Sequence, residues 1–186
     1  MTTIAELLRD AKDRISDIKK SYLAPMESKK IHGIQWKSSD LQGFKDRIKN
    51  LDKTVEDRKA TASALEGVIA HSKELKTELN EEIITKILVQ IEDLFPKCEA
   101  GVKKITGDHA RTALTPQQRK EFPIQFKNDK AWYDGLNTSK SEYSRGDLGS
   151  LLDKLIPMWA ALKPLVEAET PNKDTVLDIK PKTGRQ

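Results

Sequence analysis

From Ser39 to Phe95 the chain runs 57 residues without a proline. Within that stretch Leu41, Phe44, Ile48, Leu51, Val55, Arg58, Ala62, Leu65 and Ile69 follow one another at alternating steps of three and four, and Leu75, Leu79, Ile83, Ile87 and Ile91 then recur every four residues. Side chains at those spacings share one face of an α-helix, whereas a half-buried strand needs alternation every second residue. The stretch is therefore helical. A single helix of this length would be about 86 Å long at 1.5 Å per residue. The apolar phase shifts between Gly67 and Ser72, so the pattern predicts a break near Ala70 to Lys73 and two antiparallel helices in place of one rod.

The same reasoning extends to both sides. Ile4, Leu8, Ala11, Ile15, Ile18 and Tyr22 form one helical stripe, opened by a Thr3/Glu6 capping box and predicted to stop at Pro25. Residues 24–37 read as a connector, and Ser39 with Gln42 reads as the next capping box. Pro96 is predicted to end or kink the third helix. Thr115, Pro116 and Gln118 mark a further start, with only a short helix before Pro123. A last amphipathic helix covers about 148–169, with a kink or break expected near Ile156 because Pro157 and Pro164 lie inside it. Leucine, isoleucine, valine and phenylalanine make up 44 of 186 residues, enough for a core, while aromatics are 5% and charged residues 33%. That balance suits solvated helices and disfavours a β-sandwich.

The expected fold is an elongated, all-α antiparallel bundle of four to five main helices, with coiled-coil-like heptad packing, filling one domain over residues 1–170. Leu7, Ile15, Phe44, Ile48, Leu51, Leu65, Leu79, Ile83, Ile87, Ile91, Leu152, Leu155 and Leu162 are its expected core. Residues 106–147 are expected to be irregular, and 171–186 to be an extended basic tail, mobile unless a partner orders it.

Catalytic chemistry finds no foothold in the pattern. His32, His71 and His109 lack a second ligand at helical spacing, a lone Cys98 makes neither a disulfide nor a cysteine zinc site, and no glycine-rich phosphate cradle occurs. Arg145-Gly146-Asp147 and the glycines around it read as a turn and a helix cap. No catalytic residue, metal or cofactor is expected. With no secretory pattern at the start and a single cysteine, a reducing, cytoplasmic setting is expected.

Charge is more informative. The net value is only +4, but successive blocks 1–50, 51–100, 101–150 and 151–186 carry +4, −4, +3 and +1. Lys19, Lys20, Lys29, Lys30 and Lys37 stand against Glu27 alone, and Lys103, Lys104 and Arg111 open a second basic region. Glu74, Glu78, Glu81 and Glu82 concentrate the opposite sign. The leading expectation is a non-enzymatic scaffold that self-associates through helical faces, with those glutamates, Trp36 and the tail residues Val176, Leu177 and Ile179 as contacts. The alternative is an oligomeric, nucleic-acid-coating protein that binds phosphates through the eight basic residues just named. Lysines interleaved with Tyr22, Trp36 and aliphatic residues also describe a membrane-surface loop, which forms a third expectation. A homo-oligomer is the expected partner in every version but the last.

Overall fold

A computed structural model describes residues 2–136 and 144–168. Among them the regular structure is helical throughout: α1 (Ile4–Ile18), a π-helical turn (Lys19–Leu23), α2 (Ala24–Glu27), α3 (Ser38–Glu56), α4 (Ala62–Lys103), α5 (Asp108–Ala113), α6 (Pro116–Gly135) and α7 (Arg145–Glu167). The all-α bundle expected from the apolar spacing is the fold. The chain divides into two compact units: Met1–Asp93 with Gly135–Lys154, and Leu94–Asp134 with Leu155–Gln186. In both helices that pass from one unit to the other, the division falls just before a proline, Pro96 in α4 and Pro157 in α7.

In the first unit, α1 begins as its sequence dictates. Thr3 N–H donates to Glu6 Oε2 at 2.7 Å and Glu6 N–H donates to Thr3 Oγ1 at 3.3 Å, closing the capping box. The backbone does not stop at Pro25. It stays wound to Glu27, because the π-helical turn carries the chain into α2 with Pro25 in the first turn, where its missing N–H costs nothing. The connector is thus shorter than the sequence implies, and it turns through left-handed backbone at Lys29, His32 and Gly33.

Ion pairs give the directions of the helices. Lys19 meets Asp52 at 2.5 Å and Glu27 meets Lys45, so α1–α2 and α3 run antiparallel. Arg47 pairs with Glu78 and Val55 lies near Leu65, which makes α3 and α4 antiparallel as well. The core between them is Leu7, Ala11, Ile15 and Ile18 of α1, Leu41, Ile48 and Val55 of α3, and Leu65, Leu75, Leu79, Ile83, Ile87 and Ile91 of α4, all buried. Of the residues expected in the core, Phe44 and Leu51 are only half-buried.

The break in the long proline-free stretch is displaced. It lies between Glu56 and Ala62, not at 70–73, where α4 is continuous and Ser72 is buried. Two local devices favour the actual site: Asp57 accepts from the Lys59 N–H at 2.9 Å, and Thr61 Oγ1 accepts from the Ala64 N–H at 3.2 Å, which caps α4. The Ser39/Gln42 box does not form. Lys37 is the N-cap of α3, and Gln42 donates instead to Asp46.

The second unit is built from the end of α4, α5, α6 and the second half of α7. Phe95 packs edge-on against Phe126 at 5.9 Å between ring centres and leans on Tyr133 at 5.1 Å. Gly101 admits Leu162, since a Cβ there would stand 2.6 Å from the Leu162 Cβ. The stretch expected to be irregular is helical over Asp108–Ala113 and Pro116–Gly135, and the helices continue through Pro96, Pro123 and Ile156 without ending there. Pro96, Pro157 and Pro164 are exposed and Pro123 is half-buried, so the first three rings stand on solvent faces of helices held by their buried sides. Thr115 and Gln118 form their capping box as the sequence predicts.

Candidate interaction surfaces

The candidate phosphate-binding residues are divided between the two units. Lys19 is engaged with Asp52, Lys103 with Glu99 at 3.2 Å, and Lys104 is half-buried. Lys20, Lys29, Lys30, Lys37 and Arg111 are exposed and make no ion pair with another described residue. The first four of these sit in the first unit, whereas Lys103, Lys104 and Arg111 sit in the second. Trp36 is half-buried and its indole N–H is enclosed without a hydrogen-bond partner, so its ring belongs to the packing of the unit.

A cationic cluster that the sequence does not reveal surrounds Tyr22. Lys76 Nζ lies 5.7 Å from its ring centre and the Arg145 guanidinium 5.5 Å from it. Lys76 also holds Asp17 at 2.8 Å, and Ser21 donates to the same carboxylate at 2.8 Å. The Lys76 and Ser21 hydrogen bonds keep the Asp17 carboxyl below the usual carboxylate range, and Asp17 in turn raises the Lys76 ammonium above its own. A cleft of about 230 Å³ beside them is lined by Arg14, Asp17, Ser72, Lys73 and Lys76. The Ser72 hydroxyl is buried there without a partner. Asp13 and Asp17 offset two of the three cations of this cleft, which leaves its lining with one net positive charge.

One more feature joins distant parts of the first unit. His32 Nδ1 lies 2.6 Å from Asp153 Oδ1, and its ring crosses α7 where Gly149 leaves room, since a Cβ at Gly149 would stand 2.5 Å from His32 Nε2. The Asp147 N–H donates to Ser144 Oγ at 3.1 Å, so Ser144 caps α7 and Arg145–Asp147 form its first turn. Cys98 is fully buried in the second unit, with Sγ 3.8 Å from the Leu155 carbonyl, and burial pushes its thiol up to about 12. Such a thiol stays protonated and unreactive at neutral pH. Among the described residues no group of three or more His, Cys, Asp or Glu side chains is placed to hold a metal ion, and no helix is long and apolar enough to cross a membrane.

The candidate assembly glutamates lie on α4. Glu74, Glu78, Glu81, Thr85, Val89 and Glu92 follow at steps of four and three, and every one is exposed. Glu78 is engaged by Arg47, with Nη2 2.9 Å from Oε1, which keeps its carboxyl below the usual range. Glu82 stands off this line, half-buried and paired with Lys86 at 3.9 Å. Val89 interrupts the acidic stripe with 53% exposure. On α6, Ile124 is 63% exposed and Trp132 42% exposed. Val176, Leu177 and Ile179 lie outside the described residues.

No protein-family model matches the chain, and neither a curated protein nor a solved structure shows significant similarity to it.

Proposed function

We propose that this chain is a non-enzymatic helical scaffold that associates with further copies of itself. One observation carries the reading: large apolar side chains stand exposed along helix faces, Val89 on α4, Ile124 and Trp132 on α6 and Ile156 on α7, while their counterparts on the opposite faces are almost completely buried. Scattered apolar residues are ordinary on any surface. Val89 on α4 is set among acidic residues over several turns and Ile124 on α6 stands beside Lys120 and Lys127, an arrangement that matches a protein contact with an apolar centre and a charged rim. The test is static light scattering of the purified chain across a hundredfold concentration range. A mass rising above 21.0 kDa with concentration supports the reading, and the monomer mass throughout rejects it.

The nucleic-acid-coating reading has its own support. Lys20, Lys29, Lys30 and Lys37 are exposed without an ion pair to another described residue, and Tyr22 in the same unit is flanked by two cations. Fluorescence anisotropy with a labelled single-stranded RNA separates it from the first. Affinity falling steeply with salt supports coating, and absent or salt-independent binding rejects it. Membrane-surface binding has no comparable observation behind it. A cytoplasmic setting suits both readings, since neither calls for a disulfide or a transmembrane span.

A further inference from the structure

Resting on the self-associating reading, we infer that the exposed stripe of α4 docks on the exposed face of α6 in a second copy of the chain. The two surfaces are complementary in charge and alike in having one apolar centre. On α4, Glu74, Glu81 and Glu92 flank Val89 over about 27 Å of helix, and no lysine or arginine between Glu74 and Glu92 shares their line. On α6, Lys120 and Lys127 lie four residues before and three after Ile124, which places all three on one face together with Ala131. Glu81, Glu92, Lys120 and Lys127 are exposed, and none makes an ion pair with another described residue. α4 therefore presents acidic charge, and α6 a net positive charge, around an uncovered aliphatic side chain. The opposite sign and a second apolar residue are both available on another copy. Glu121, exposed and accepting from Gln117 at 2.9 Å, lies three residues before Ile124 and shares that face, so the two lysines leave it with one net positive charge.

A contact in which one surface meets a different surface of its neighbour is heterologous, so each copy keeps one free face of each kind and association continues into rings or filaments. Charge complementarity selects the pairing, because α4 on α4 and α6 on α6 would each oppose like charges.

The experiment uses two full-length variants, Lys120→Glu with Lys127→Glu and Glu81→Lys with Glu92→Lys, with circular dichroism reporting retained helicity. Each alone is expected to self-associate at least about tenfold more weakly than the parent, since each now opposes like charges. Mixed at equal concentration, they are expected to regain assembly, because the reversed α6 of one meets the reversed α4 of the other. Variants that assemble as the parent does, or a mixture that stays monomeric, would overturn the α4–α6 pairing while leaving self-association intact. A monomeric parent would reject both this pairing and the reading on which it rests.

Discussion

Gly101 and Gly149 are the two positions where the fold depends on a missing side chain. At Gly101 the obstacle is the Cβ of Leu162, which cannot swing aside, so Gly101→Ala is expected to lower stability in urea unfolding by about 1–3 kcal/mol. At Gly149 the obstacle is the His32 ring, which Asp153 holds in place. Gly149→Ala is expected to lower the thermal midpoint, and Gly149→Ala combined with His32→Ala to cost less than the sum of the two single changes. An additive pair would show that the ring moves freely. The Cys98 thiol, raised to about 12 by burial, is expected to resist a disulfide reagent at pH 8 until the protein is unfolded, and prompt labelling of the folded chain would contradict its burial. None of these pairings was legible in the sequence. His32 and Gly149 lie 117 positions apart, and nothing local to either residue encodes the other.

Among the elements, what could be read and what could not divide along a physical line. Helix starts were legible at two of three two-residue caps, Thr3/Glu6 and Thr115/Gln118, where donors and acceptors lie within four residues, while at Ser39/Gln42 the helix starts earlier, with Lys37 as N-cap, and Gln42 turns to Asp46. Helix stops were not. Pro25 lies in the first turn of α2, and Pro96, Pro123, Pro157 and Pro164 lie inside helices because burial of the opposite face outweighs a cost of about 3 kcal/mol per interior proline. Pro123→Ala should therefore raise stability by up to about 3 kcal/mol in thermal unfolding, and a loss would mean that α6 needs the ring for packing. The ion pairs that orient the helices of the first unit also set its response to acid. Asp17 and Glu78 titrate below their ordinary range when folded, so their contribution is whole at neutral pH and is lost as pH falls from about 4 through the depressed values. Both pairs are exposed, so Asp17→Asn with Glu78→Gln should flatten the acid side of the stability curve by no more than about 1 kcal/mol per pair. An unchanged acid limb would remove the pairs from the account.

At the scale of the whole molecule, apolar spacing made the all-α fold and most of its core legible, since Leu75, Leu79, Ile83, Ile87 and Ile91 are all completely buried where the four-residue step places them. Segregated charge was legible too, but its use was not. Glu78 and Lys19, both plausible external contacts from composition, are engaged within the chain, and only geometry separates them from Glu81, Lys120 and Lys127. The account rests on copies of this chain recognising one another through charged faces with apolar centres. Sedimentation velocity of the full chain, at rising concentration and at low and high salt with absorbance read at 260 and 280 nm, tests this most directly. The account predicts species larger than the 21.0 kDa monomer, free of nucleic-acid absorbance, that grow with concentration and shrink when salt screens the charged rims. A single monomeric boundary under every condition would contradict it.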